Sequence, residues 1–176
     1  MRVRTFRAED VTTLYQIHLA AAHRDTYQTM DEQVFSDWIT DPQLDACSNI
    51  FVLTDDDDEL QTWGQAGTLE GIEGEIIGYT VVQCFFEADC YHFRCIGAVH
   101  PDHRRKGAGN ALLICALNRM HGMEAEVDSG AIEQSIYFEV LLPAQDVNLQ
   151  RLLERRHMQF VSAEMYPGFC LYRQQL

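Results

Sequence analysis

The residue types best suited to chemistry sit in one stretch, Val99-His100-Pro101-Asp102-His103-Arg104-Arg105-Lys106-Gly107-Ala108-Gly109-Asn110. A β-type run, Cys95 to Val99, leads into it, and a helix-type run, Ala111 to Met120, leads out. Three consecutive cations and two glycines one position apart lie between them. A strand that turns through glycines into a helix leaves the first backbone N–H groups without intrahelical acceptors. Those donors, with the positive end of the helix dipole, form an anion site. Gly107 and Gly109 lack a Cβ, so an anion can lie directly against the main chain. Arg104, Arg105 and Lys106, the chain's only lysine, add side-chain charge. The expected ligand carries phosphates.

The spacing separates this loop from two common phosphate loops. A Walker loop ends in Gly-Lys-Ser or Gly-Lys-Thr, whereas Lys106 precedes its glycine. A dinucleotide fingerprint needs a third glycine, which is absent, and an acidic residue further on. Arg104-x-x-Gly107-x-Gly109, following Val99 and Pro101, instead resembles the acetyl-CoA loop of the GNAT N-acetyltransferases. Taken alone, the loop also reads as a glycine turn opening a surface helix, with its cations in water.

The chain has 176 residues, 47% hydrophobic and 23% charged, enough for a single cored domain over residues 1–176. Its N-terminus has cations but no apolar run behind them, so no secretory signal is expected. The apolar run Ala111 to Leu117 is too short to span a bilayer, and a cytoplasmic location is expected. The six cysteines (Cys47, Cys84, Cys90, Cys95, Cys115 and Cys170) make no Cys-x-x-Cys pair, which suits reduced thiols. No His cluster stands at zinc spacing, and no metal is expected. Of the net charge of −14, residues 1–95 hold −13. So acidic a protein repels nucleic acid and anionic membrane, and neither is an expected partner.

The elements around the loop follow from periodicity. Arg2 to Arg7 alternates as a half-buried strand. Glu9 and Asp10 open a helix to about Thr26, and Met30 to Ile39 forms a second, closed by Asp41-Pro42. Asn49 to Thr54 is a β run ending in Asp55-Asp56-Asp57-Asp58-Glu59, a charge block that reads as a solvated loop tip or a lure for a cationic substrate. Leu60 to Gly74 reads as a long connection. Ile76 to Phe86 and Tyr91 to Val99 form a hairpin whose second strand enters the anion loop. After the helix Ala111 to Met120, Gly122 to Ser135 reads as loop. Ile136 to Leu142 reads as a buried strand, and Asp146 or Asn148 caps a helix through Met158. Phe160 to Ala163 and Phe169 to Arg173 are two short strands turned by Pro167-Gly168.

This order matches the topology of the GNAT family, so the resemblance covers nearly the whole chain. It implies an α/β (α+β) fold, a mixed, mostly antiparallel sheet of about seven strands flanked by helices. The family's fourth and fifth strands, here Tyr91–Val99 and Ile136–Leu142, splay to admit the pantetheine arm of acetyl-CoA. Backbone groups of Gly97 and Val99 would then bind the pantetheine amides. Backbone amides from Arg104 through Arg105, Lys106, Gly107 and Ala108 to Gly109, with Asn110, would hold the pyrophosphate. The family's second marker, Asn then Tyr then Gly-Phe, is partly kept: Asn148 and Phe160 match, but Arg155 replaces the Tyr and Gln159 the Gly. Arginine keeps its proton at neutral pH and cannot serve as the acid. Tyr166 becomes the candidate acid, while Glu87 is the candidate base, with Tyr91 and His92 close by. His18, His23 and Tyr27 could line the acceptor pocket, although helix histidines more often only pack.

The resulting expectation is an acetyl-CoA-dependent N-acetyltransferase, by direct attack of a primary amine and without a nucleophilic cysteine. The acidic N-terminal half favours a cationic acceptor. A non-catalytic acyl-CoA-binding sensor or interaction subunit is the alternative, motivated by the missing Tyr; a nucleotide-binding regulator is the third. A homodimer stays open.

Overall fold

The computed structural model describes residues 1–55, 74–127, 135–163 and 167–176. Its centre is a seven-stranded sheet in the order β1-β2-β3-β4-β5-β7-β6. The strands are β1 (Arg2–Thr5), β2 (Ile50–Asp55), β3 (Glu75–Glu87), β4 (Cys90–Val99), β5 (Ser135–Pro143), β6 (Gln159–Ser162) and β7 (Phe169–Gln175). The helices are α1 (Val11–Asp25), α2 (Glu32–Ile39), α3 (Ala46–Asn49), α4 (Ala108–Val127) and α5 (Val147–Arg155).

Local chemistry sets the helix ends. Asp10, just before α1, takes two 2.7 Å hydrogen bonds from Arg4 and one of 2.8 Å from the Arg7 N–H. Thr26 ends α1 by turning left-handed, φ 54°, with its N–H bonded to the Ala22 carbonyl. Asp31 caps α2 by accepting from the Val34 N–H at 2.9 Å. Asp146 caps α5 in the same way through the Leu149 N–H. His157, at φ 63°, turns the chain away after α5.

Two of the expected boundaries need correction. Helix α4 does not stop near Met120 but continues through Gly122 to Val127. A mid-helix glycine costs about 1 kcal/mol. Met120 and Met123, buried against Phe93 and Phe138 in one cluster, offset it at roughly 1.5–3 kcal/mol each. Helix α5 ends at Arg155 rather than Met158. The charge block and the connection after it, from Asp56 to Glu73, lie outside the described residues.

Both sheet faces are covered where the site will form. Leu14, Ile17 and Phe35 of α1 and α2 pack on Val52, Tyr79 and Val81. Leu113, Ala116 and Met120 of α4 and Leu153 of α5 pack with Phe93, Val140 and Leu142. Every strand pairing is antiparallel except that of β4 with β5. That parallel ladder runs from Cys90↔Ser135 to Ile96↔Leu141 and then stops. Beyond it, Gly97, Ala98 and Val99 stay paired to β3, while Leu142 and Pro143 stay paired to β7. The sheet therefore splits in its middle, leaving backbone groups on each side without a strand partner.

Candidate functional site

The split opens into a cleft of about 730 Å³. Thr80, Cys95, Gly97 and Val99 line it from the β3–β4 side, and Val140, Leu141 and Pro143 from β5. The loop before α4, the first turns of α5 and the end of α1 complete the lining. Antiparallel pairing directs alternate residues of a strand to the same neighbour. The His100 N–H bonds the Ile77 carbonyl of β3 at 2.8 Å, so the N–H groups of Gly97 and Val99 face the gap. The Val99 carbonyl, on that side too, accepts from Arg104 Nε at 3.1 Å. Gly97 is required by close approach: a Cβ there would stand 2.3 Å from the Tyr79 carbonyl oxygen.

The glycine loop enters α4 through two left-handed residues, Arg105 at φ 69° and Gly107 at φ 92°. A Cβ on Gly107 or Gly109 would meet nothing within 4 Å, so the space over this main chain is open. With α4 starting at Ala108, the N–H groups of Ala108, Gly109 and Asn110 have no intrahelical acceptors. Gly107, Gly109 and Asn110 line the cleft; Lys106 is exposed, and Ala108 is buried at the helix start. The loop is tied to α5 by two bonds: Arg105 NH1 donates to Asn148 Oδ1 at 3.0 Å, and Arg156 donates to Asn110 Oδ1 at 2.9 Å.

The expectation for Arg104 needs adjustment. Its guanidinium makes a bidentate pair with Asp25 of α1, both bonds 2.8 Å, so its charge is neutralised within the protein. That hydrogen-bonded pairing raises the Arg104 pKa despite burial. The charge facing the cleft from this loop is that of Arg105.

Two tyrosines, Tyr27 and Tyr79, also line the cleft. Tyr27 packs on Phe169 with ring centres 4.7 Å apart, joining the α1–α2 connection to β7. Burial, reinforced by Asp25, pushes the Tyr27 phenol well above its usual range. Burial does the same to Tyr79. Both are therefore protonated hydroxyls near neutral pH. Cys95 lies 3.1 Å from the Thr80 hydroxyl, and burial pushes its thiol up to about 11. A thiol so protonated is no nucleophile at neutral pH.

Other sequence candidates fall elsewhere. Glu87 is exposed at the β3–β4 hairpin, eight residues along β3 from Tyr79. At roughly 3.3 Å per residue that is about 26 Å from Tyr79, and about 17 Å from Val82, the partner of Cys95 at the near edge of the cleft. The expected base at Glu87 is thus not brought to the site, because the long ladder puts the hairpin and the split at opposite ends. Tyr91 begins the same end of β4. His92 is buried with Nδ1 3.0 Å from Glu139, in a cluster that also holds Arg94 and Arg173. Arg155 is exposed at the end of α5 and does not line the cleft. Tyr166 lies outside the described residues. Sequence reading missed Asp25, Tyr79 and Arg156, which look like ordinary helix, strand and surface residues until partners 79, 61 and 46 positions away meet them.

Among the described residues no group of three His, Cys, Asp or Glu could hold a metal, and no helix is long and apolar enough to cross a membrane.

No protein-family model matches the chain, and no curated protein matches it in sequence. Solved structures do. The GCN5-related N-acetyltransferase from Sphaerobacter thermophilus superposes with a TM-score of 0.65 at 18% identity over 91% of this chain. The chain spans only 44% of that protein's length. YncA from Salmonella typhimurium, a putative acetyltransferase solved with acetyl-CoA, gives 0.62 at 16% identity, covering 99% of this chain and 92% of its own. The ribosomal-protein-alanine N-acetyltransferase from Brucella melitensis gives 0.64 at 15% identity, covering 100% of both chains. These superpositions, over a seven-stranded mixed sheet flanked by helices, establish the GNAT fold for this chain.

Proposed function

We propose that this protein is an acetyl-CoA-dependent N-acetyltransferase that transfers acetyl directly to a primary amine. The observation that carries the reading is the split after Ile96↔Leu141, which runs into an open glycine loop at a helix start. A strand-like pantetheine arm and a pyrophosphate are the ligand parts that such a gap and such a loop would take. The Gly97 and Val99 N–H groups would bind the pantetheine amides. Backbone N–H groups of Gly107, Ala108, Gly109 and Asn110, with Arg105 held by Asn148, would receive the pyrophosphate.

Transfer needs a neutral amine, because an ammonium has no lone pair and a lysine-like amine has a pKa of about 10.4. The amine nitrogen attacks the thioester carbonyl, and a strand N–H stabilises the oxyanion that forms. The carbon–sulfur bond then breaks, and the thiolate takes up a proton. The protonated Cys95 fits attack without an acyl-enzyme. The acidic N-terminal half favours a cationic acceptor. Acyl-CoA binding without transfer is the second reading, favoured by Arg155 at the position where a family member has its tyrosine acid.

The test is release of free thiol from acetyl-CoA across a panel of a polyamine, an aminoglycoside and a basic peptide. Turnover with at least one amine, with kcat/KM falling as salt rises, supports the reading and its cationic acceptor. Tight acetyl-CoA binding with no release across the panel would favour the second reading.

A further inference from the structure

Tyr79 lines the cleft and stands opposite Ala98 in the β3–β4 ladder, between the partners of Gly97 and Val99. Its hydroxyl lies 3.3 Å from Nδ1 of His18, on α1. Tyr79 is 1% exposed and His18 7%. The other ring nitrogen of His18, Nε2, is buried without a hydrogen-bond partner. In either neutral tautomer, that atom presents an unmet N–H or an unmet lone pair. Buried polar atoms are nearly always paired, so an aliphatic residue would serve packing better at this position.

The rings around His18 are Tyr27, Phe35 of α2 and Tyr79 of β3. Asp25, two turns along α1, is engaged with Arg104. Burial alone holds the imidazole below its ordinary pKa, so it stands neutral and able to accept a proton. A tyrosine that lines the cleft, its hydroxyl backed by a neutral imidazole, can pass a proton inward.

We propose that Tyr79 and His18 form a proton relay that deprotonates the acceptor amine, an assignment that rests on the acetyltransferase reading above. The ammonium gives one proton to Tyr79 Oη as the tyrosine's own proton passes to His18 Nδ1. The free amine attacks the thioester carbonyl, forming the carbon–nitrogen bond. When the carbon–sulfur bond breaks, the thiolate takes the second nitrogen proton, giving amide and CoA thiol. The imidazolium then returns its proton through Tyr79 to solvent. Tyr79 is the catalytic residue in this scheme, and His18 is a positioning residue that acts through it.

The test compares the parent with Tyr79→Phe, which keeps the ring, and His18→Gln, which keeps a hydrogen-bonding side chain but cannot take the proton. Acetyl-CoA affinity is measured by calorimetry, thermal midpoints by melting, and kcat/KM from pH 6 to 10 by thiol release, using the best amine of the panel. With a relay, the parent accepts the ammonium, so kcat/KM levels off above the His18 pKa. Both variants depend on the minor free-amine fraction: their kcat/KM falls about 10²- to 10³-fold at pH 7 and climbs back towards pH 10. Affinity for acetyl-CoA and the folded state are retained. Equal kcat/KM for parent and Tyr79→Phe across this range would overturn the relay while leaving the acetyltransferase intact. A variant that loses activity equally at every pH assigns the pair to structure and overturns the relay too. No turnover by the parent would overturn the acetyltransferase reading and the relay together.

Discussion

Asp25, the last residue of α1, and Arg104, in the loop before α4, meet through two parallel 2.8 Å hydrogen bonds. The same guanidinium reaches back to the Val99 carbonyl at 3.1 Å. One side chain thus fixes three parts of the cleft: helix α1, the strand end and the glycine loop. Asp25 is 8% exposed and the Arg104 side chain 24%, so removing one partner strands a largely buried charge. Asp25→Ala is expected to lower stability by roughly 2–4 kcal/mol, somewhat below the cost for fully buried pairs. It should also weaken acetyl-CoA binding by loosening the loop. Urea unfolding and calorimetry read the two effects; a destabilised variant with unchanged affinity would contradict the coupling.

Glu139 on β5 is fully buried, accepting from Arg94 on one oxygen and from Arg173 on the other, where His92 Nδ1 also lies. Burial pushes its pKa up, but the hydrogen bonds from Arg94, Arg173 and His92 win, and the net shift is downward from 4.5. A depressed carboxylate pKa gives stability that is present above the unfolded value and lost as pH falls through the folded one. The parent should therefore lose stability in acid below about pH 4.5 more steeply than Glu139→Gln. At pH 7 that variant should be less stable by roughly 2–4 kcal/mol, since two arginines lose their counter-charge. Urea melts at pH 7 and in acid check both points; parallel pH profiles would contradict the pairing.

Much of the frame was legible in the chain. Alternation in the first strand, β-type runs between turn signals in the others and apolar spacing of 3.6 located the seven strands and the main helices, because each is written in local sequence. The glycine loop was legible for the same local reason, its charge and its Cβ-free positions being adjacent in sequence. The reach of α4 past Gly122 was not, since burial of Met120 and Met123 overrides a local helix breaker. The partners of Arg104, Tyr79 and Glu139 were not legible either. Each lies on a different element, and only the closed sheet brings them together.

Gly97 allows β4 to lie against β3 at the split. Gly97→Ala would put a Cβ 2.3 Å from the Tyr79 carbonyl and 2.9 Å from Thr80 Cα, both backbone atoms. Neither can yield without moving β3, so the variant should melt several degrees lower, on the order of 1–3 kcal/mol as for overpacking. A wild-type melting point would show that the strands are further apart than described.

Cys95 sits in the cleft, yet its thiol is held protonated up to about 11. Cys95→Ala should leave thiol release within a few-fold of the parent. Alkylation of Cys95 should be slow at pH 8 and accelerate only in stronger alkali. Abolished transfer in Cys95→Ala, with acetyl-CoA still bound, would contradict direct attack by the amine.

The loop before α4 is proposed to hold the phosphates of acetyl-CoA. Calorimetric titration of the parent and of Gly107→Glu tests it most directly. Gly107 is at φ 92° with open space above it, so the substitution adds backbone strain of roughly 1–2 kcal/mol while filling the cradle with bulk and negative charge. Acetyl-CoA binding by the parent, lost in a variant that still folds, is the predicted result. Equal binding by both, or none by the parent, would contradict it.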